Sequence, residues 1–140
     1  MKTVSAQQLP SEGQWGKFAN VVDAEGELEL TGDVDMVGVV RIPLGKTFKL
    51  TSKKNVTIRN LGIGTNNETT DGRSRMFTVK GSGGKLIIEA AEGCTITLDG
   101  GADFTWNNYE LAPGSNSRTL SEAICNEGTL ELKNVIIRNV

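Results

Sequence analysis

The sequence predicts an all-β chain: a right-handed parallel β-helix over residues 27 to 140, preceded by a short amphipathic capping helix. Three observations carry that expectation. Short stretches alternate apolar and polar residues with a period of two, the pattern of half-buried strands. These stretches come in triplets, and the triplets align with one another, as in a solenoid whose coils bury their apolar sides on their neighbours. Glycine is frequent, 17 in 140 residues, and proline scarce at 3, which suits many tight turns between short strands.

The chain opens on a segment, Met1 to Pro10, expected to be flexible. It has one lysine and no apolar core, so it does not read as a signal peptide. Two alternatives follow: a cytosolic protein, or a secreted one whose signal has been removed. Residues 11 to 26 are predicted to be the capping helix. Ser11 and Gln14 form a capping-box pattern. Trp15, Phe18, Val21 and Val22 then make one apolar face, and Gly26 is a natural stop. Trp15 and Phe18 are expected to lie as a lid over Leu28 and Leu30.

After Gly26 the period falls to two, with Leu28 and Leu30 alternating against Glu27, Glu29 and Thr31. Three strand triplets follow. The first is Val40 to Pro43, Thr47 to Thr51 and Asn55 to Asn60. The second is Phe77 to Lys80, Lys85 to Glu89 and Cys94 to Asp99. The third is Ala123 to Glu127, Thr129 to Lys133 and Asn134 to Asn139. Alternation places Phe48, Leu50, Leu86, Ile88, Leu130 and Leu132 on one inner face. Val56, Ile58, Ile96, Leu98, Val135 and Ile137 fall on a second, and Val40, Ile42, Phe77, Val79 and Ile124 on a third. Asn55-Val56-Thr57-Ile58-Arg59-Asn60 matches Asn134-Val135-Ile136-Ile137-Arg138-Asn139 nearly residue for residue, with Cys94 to Asp99 a looser middle copy. Two insertions, Leu61 to Arg75 and Gly100 to Glu122, both follow the third strand of a triplet. They are expected to emerge from one corner, where repeat proteins often build a binding face.

Ala123-Ile124-Cys125-Asn126-Glu127-Gly128-Thr129-Leu130-Glu131-Leu132 and the Asn-Val-Ile-Ile-Arg-Asn that follows resemble coils of bacterial surface and autotransporter-like β-helix proteins. The segments Gly83 to Ile88 and Val56 to Asn60 look like repeats of the same kind. The resemblance covers residues 27 to 140 and points to the pectin-lyase-like superfamily. That superfamily includes lyases, hydrolases, tailspikes, adhesins and passive stalks, so the resemblance implies a fold more than an activity. It implies a secreted or cell-surface setting.

Composition excludes several chemistries. The chain has no histidine, which removes His-based triads, His general bases and His metal ligands. Cys94 and Cys125 lack the spacing of a zinc site. By parity Cys94 points inward and Cys125 outward, so two free thiols are expected rather than a disulfide. A net charge of -2 gives no electrostatic drive toward nucleic acid. No apolar run is long enough to span a bilayer. No metal or cofactor is expected.

Motifs with a chemical look resolve mostly into architecture. Gly81-Ser82-Gly83-Gly84-Lys85 superficially resembles a phosphate loop, but Leu86 follows the lysine and a strand follows the loop, so it reads as a turn. Lys46, Lys49, Lys53 and Lys54 form a basic cluster suited to acidic polysaccharide, or simply a solvated face. Asn126, Asn60 and Asn139 are placed to satisfy backbone groups at bends. A carbohydrate-active enzyme of this class would need clustered carboxylates on one outer face. The acidic residues Asp33, Asp35, Asp99 and Asp103 show no repetition at matched coil positions; convergence of three among Asp33, Asp71, Asp99 and Asp103 in a groove would favour the enzyme.

The segment Phe104 to Tyr109 concentrates aromatic residues in an insertion. Asp103, Trp106, Asn107, Asn108 and Tyr109 are the candidate ligand-binding residues, since aromatic faces beside amides suit the C–H faces and hydroxyls of sugars. The competing reading is that Trp106 and Tyr109 anchor the loop. The function expected is a non-catalytic structural or adhesive module, with a glycan as candidate ligand. The alternative is a polysaccharide lyase or glycoside hydrolase. The last triplet reaches Val140 in mid-pattern, so continuation of the chain or self-association through that coil is expected.

Overall fold

The computed structural model describes residues 3–5, 9–15, 21–37, 39–62, 76–100 and 123–138. All regular elements among them are β-strands, and all strand pairs are parallel. Strands β1 (Thr3–Ser5) and β2 (Gly13–Trp15) begin the series. Four turns of three strands follow: β3 (Val21–Asp23), β4 (Gly26–Leu30) and β5 (Val34–Val37); then β6 (Val39–Ile42), β7 (Thr47–Ser52) and β8 (Val56–Gly62). The last two are β9 (Phe77–Val79), β10 (Lys85–Ala90) and β11 (Ile96–Asp99), and β12 (Ile124–Asn126), β13 (Thr129–Lys133) and β14 (Val135–Arg138).

The chain visits three sheets in rotation. The first sheet has the order β1-β3-β6-β9-β12, the second β4-β7-β10-β13, and the third β2-β5-β8-β11-β14. Each strand therefore pairs with the strand one turn away rather than with its chain neighbour, a solenoid-like arrangement. Parallel strands alternate their side chains in step, so equivalent residues stack in columns along the axis. Leu50, Ile88 and Leu132 form one such column. Ile58, Leu98 and Ile137 form another, and Val40, Phe77 and Ile124 a third. These inward columns make a single core in which Leu50, Ile58, Phe77, Ile88 and Leu98 are fully buried. Burial of an aliphatic or aromatic side chain of this size contributes about 1.5–3 kcal/mol.

The N-terminal region departs from the sequence reading. Where a capping helix over residues 11 to 26 was expected, the described residues form β2 and β3, strands of two different sheets. Thr3–Ser5, in the segment expected to be flexible, pairs with Val21–Asp23. Trp15 and Val22 are both buried, but from strands separated by a corner of the coil. Their spacing in the chain imitates a helical stripe because both point into the same core. Trp15 is nonetheless buried in the core, in register with Met36, and its indole N–H donates to the Pro10 carbonyl at 2.9 Å. Phe18 lies outside the described residues.

Close stacking explains two glycines. A Cβ on Gly84 would collide with the Lys80 carbonyl, and one on Gly128 with the Gly84 carbonyl. Lys80 lies in the same bend as Gly84, whereas at Gly128 the backbones of successive turns meet, with the Thr129 N–H donating to the Gly84 oxygen at 2.9 Å. The Gly81 to Lys85 segment is thus a turn between β9 and β10, with Ser82 and Gly83 at positive φ.

Candidate functional site

The outer face of the third sheet carries the most organised set of polar side chains. Asp35, Arg59, Asp99 and Arg138 occupy equivalent outward positions on β5, β8, β11 and β14. Acid and base therefore alternate along the solenoid axis. Arg59 donates from Nη2 and Nε to Asp35 Oδ1 at 3.0 and 3.2 Å. Arg138 Nε donates to Asp99 Oδ2 at 3.3 Å. Next to this ladder, Asp33 Oδ1 accepts the Thr57 backbone N–H at 2.9 Å. These residues line a shallow concavity of about 370 Å³.

This arrangement corrects the sequence reading in which the acidic residues do not repeat. Asp35 and Asp99 stand at the same position of the third sheet, two turns apart. The repeat concealed them because the middle copy is offset by one residue: Ile96 faces Val56, and Asp99 faces Arg59. A slip of one residue exchanges the inner and outer faces of a strand. The alternation of Ile96 and Leu98 was the available signal, since inward aliphatics must share a column with Val56 and Ile58.

What the ladder can do follows from its pairing. Asp35 and Asp99 are each engaged by an arginine, and Asp33 by a backbone amide. Along a column of parallel strands, like charges would lie directly opposite and repel. Alternation converts that cost into attraction, so the ladder stabilises the stacking order of the turns. Each partly exposed pair contributes on the order of 0–1 kcal/mol.

The second sheet shows the same logic. Lys46 reaches Glu25 at 3.5 Å, Lys49 reaches Glu89 at 3.7 Å, and Lys53 reaches Glu29 at 3.8 Å. Lys54 Nζ donates to the Thr31 carbonyl at 3.4 Å. The four lysines of the basic cluster therefore face acidic or carbonyl partners rather than presenting a bare cationic patch. A second concavity of about 400 Å³ on this face is lined by Glu27, Glu29, Glu89 and Glu92 together with Lys53 and Lys133. Among the described residues no three His, Cys, Asp or Glu side chains are grouped to hold a metal ion, and no helix is long and apolar enough to cross a membrane.

Asparagines and a serine serve the corners. Asn60 is buried and donates from Nδ2 to the Gly100 carbonyl at 3.0 Å. Asn55 Oδ1 accepts the Thr95 N–H at 2.9 Å, and Asn134 Nδ2 donates to the Ala90 carbonyl at 3.1 Å. Each links adjacent turns. Asn126 shares the inward column of buried Val79 but is itself exposed, as Leu132 and Ile137 of the same turn are, and its Oδ1 accepts the N–H of Gly128 across the bend at 3.0 Å. Ser52, buried in the inward column of Leu30 and Ala90, donates to the Leu30 carbonyl at 2.9 Å and accepts the Lys54 N–H at 3.1 Å. Asn139 lies outside the described residues.

Cys94 and Cys125 are not joined in a disulfide, and both are of intermediate exposure. Cys94 packs against the core, with its thiol 3.3 Å from the Lys53 carbonyl. The candidate ligand residues Asp103, Trp106, Asn107, Asn108 and Tyr109 lie outside the described residues, as does Asp71.

No family model, curated protein or solved structure matches this chain.

Proposed function

We propose that the chain is a non-catalytic structural or adhesive module of a secreted or cell-surface protein, built as a right-handed parallel β-helix of the pectin-lyase-like kind. The handedness follows the strong right-handed preference of crossover connections between parallel strands. The observation that supports a structural role is the outer face of the third sheet. There Asp35, Arg59, Asp99 and Arg138 pair along the axis, so its charges serve the stack. In this reading ligand recognition belongs to the insertion carrying Asp103, Trp106, Asn107, Asn108 and Tyr109, and the ligand is a glycan. A glycan array probed with the whole chain tests it. Trp106→Ala is expected to abolish any bound signal while leaving the melting temperature nearly unchanged. A loss of stability in that variant, with no glycan bound by either protein, would instead make Trp106 an anchor.

One observation favours a second reading, a carbohydrate-active enzyme of the lyase or glycoside hydrolase type. Asp33, Asp35 and Asp99 line one concavity with Arg59 and Arg138. Paired carboxylates are the working parts of glycoside hydrolysis. Incubation with acidic and neutral polysaccharides, followed by assays for new reducing ends and for unsaturated products, separates the two. Turnover that disappears in Asp99→Asn would establish the enzyme and overturn the structural reading.

A further inference from the structure

The outer face of the third sheet holds polar groups that the charge ladder does not use. They sit on β5, β8 and β11, each of which has a strand on both sides. Beside the ladder runs a second outward column, in which Asp33 adjoins Thr57 and Thr57 pairs with Thr97. Asp33 accepts the Thr57 amide through Oδ1, and Asp35 takes both of its arginine hydrogen bonds on Oδ1. Among the described residues nothing engages the second oxygen of either carboxylate, or the hydroxyls of Thr57 and Thr97. Asp33, Asp35, Thr57 and Asp99 line the concavity of about 370 Å³. Thr97 adjoins two of them, Thr57 across the sheet and Asp99 along the strand. Although it points outward, Thr97 is only 9% exposed. A hydroxyl so far buried and left without a partner costs free energy that a hydrogen-bonding ligand recovers.

We propose that this concavity binds a neutral, hydroxyl-rich saccharide, as a second and weaker contact in addition to the insertion that carries Trp106. The proposal rests on the glycan-binding reading above and extends it to a separate site. Chemistry selects the ligand class. The open groups are two carboxylate oxygens and two hydroxyls, which together accept and donate as sugar hydroxyls do. They stand about 4.8 Å apart between turns and about 6.6 Å apart along a strand, a spread that the hydroxyls of one or two sugar rings span. Acidic sugars are disfavoured, because Asp33, Asp35 and Asp99 outnumber Arg59 and Arg138, and both guanidiniums already hold carboxylates. A cationic ligand would meet those same guanidiniums. Among the described residues no three acidic side chains are grouped to hold a metal ion. Selection thus falls to the open oxygens and hydroxyls, while the paired charges of the ladder hold the floor in place. With no aromatic ring in the lining, the contact registers at high sugar concentration rather than on a washed array.

Amide chemical-shift titration of the whole chain tests it, with hexasaccharides of β-1,4-glucan, β-1,4-mannan and β-1,4-galactan set against hexagalacturonate. At least one neutral hexasaccharide is expected to shift the amides of Asp33, Thr57 and Thr97 saturably, and hexagalacturonate to leave them unmoved. Thr57→Val and Thr97→Val keep the side-chain shape and remove the hydroxyl. Each is expected to weaken binding by about tenfold through the loss of one hydrogen bond. Since neither hydroxyl is bonded to a described residue, melting temperatures of both variants should match the parent. Trp106→Ala, which empties the array, is expected to leave the titration shifts of β5, β8 and β11 in place. Loss of those shifts in Trp106→Ala would place recognition in the insertion alone, overturning this proposal while sustaining the reading it extends. No shift at this sheet with any neutral hexasaccharide, tighter binding of hexagalacturonate, or parental affinity in both valine variants would each overturn it as well.

Discussion

The two ends of the solenoid face the same physical problem and meet it differently. Near the N-terminal end, Trp15 on β2 is 1% exposed, stands in register with Met36, and has its indole N–H satisfied by Pro10. Leu9 is buried with it. One large aromatic ring thus fills the interior in the column of Met36. At the C-terminal end, Leu132 and Ile137 stand in other inward columns, those of Ile88 and Leu98, and both are substantially exposed. A stacked coil completes its apolar interior only when something lies on each side of it. Among the described residues a large aromatic ring fills the interior at one end, whereas at the other the aliphatic side chains of β13 and β14 stay part-exposed.

The closed end should be the more fragile to mutation. Trp15→Ala is expected to cost about 3–5 kcal/mol, the usual range for truncating a buried Trp or Phe, read as a lowered urea midpoint. A loss below about 1 kcal/mol would mean that Trp15 does not close the interior, and the contrast between the ends would fail.

A single column sharpens the contrast. Leu50 and Leu132 share it, two turns apart. Leu50→Ala should cost about 2–5 kcal/mol because it leaves a cavity in a packed core. Leu132→Ala should cost under about 1 kcal/mol in the monomer, because the side chain is already part-solvated. Equal losses in denaturant titrations at low protein concentration would show that the last turn is packed as tightly as the middle.

Hydrogen exchange should trace the same gradient without mutation. Amides of β7 and β10, flanked by strands on both sides, should exchange by global unfolding. Those of β13 and β14 should open locally and exchange faster. Measured in dilute solution, uniform protection from β7 to β14 would contradict an open last turn.

The smallest effect concerns the charge ladder, which runs from β5, one turn in from the closed end, to the open end. Arg59→Gln should cost about 1 kcal/mol or less, with the loss shrinking as salt is raised. Arg138→Gln, more exposed and at the open end, should cost less still. A larger loss at Arg138 than at Arg59, by thermal denaturation at low salt, would show that the ladder is anchored at the open end.

Much of the fold was legible from residues 27 to 140 because a solenoid repeats its register. Period-two alternation assigns each strand an inner and an outer face, and aligned triplets place equivalent faces in one column. The observed pairings Phe48–Leu86–Leu130 and Val40–Phe77–Ile124 follow from those two facts. The N-terminal strands were illegible for the converse reason. They are three residues long, too short for alternation to register, and Trp15 and Val22 fall at a spacing that a helix would also produce. Only burial shared across two sheets distinguishes the cases. The candidate ligand loop, residues 103 to 109, lies outside the described residues and stands on sequence reasoning alone.

The sequence by itself determined the class of the fold, its three inner faces and the turn character of Gly81 to Lys85, because each depends on local alternation and backbone geometry. Tertiary structure decided which turn stacks on which and with what offset. It thereby decided that Asp35, Arg59, Asp99 and Arg138 form one alternating column, that Asn60 satisfies Gly100, and that Leu132 is left bare. Those outcomes depend on contacts between residues a full turn or more apart in the chain. A one-residue shift in register would exchange the inner and outer faces of a strand and break the alternating column.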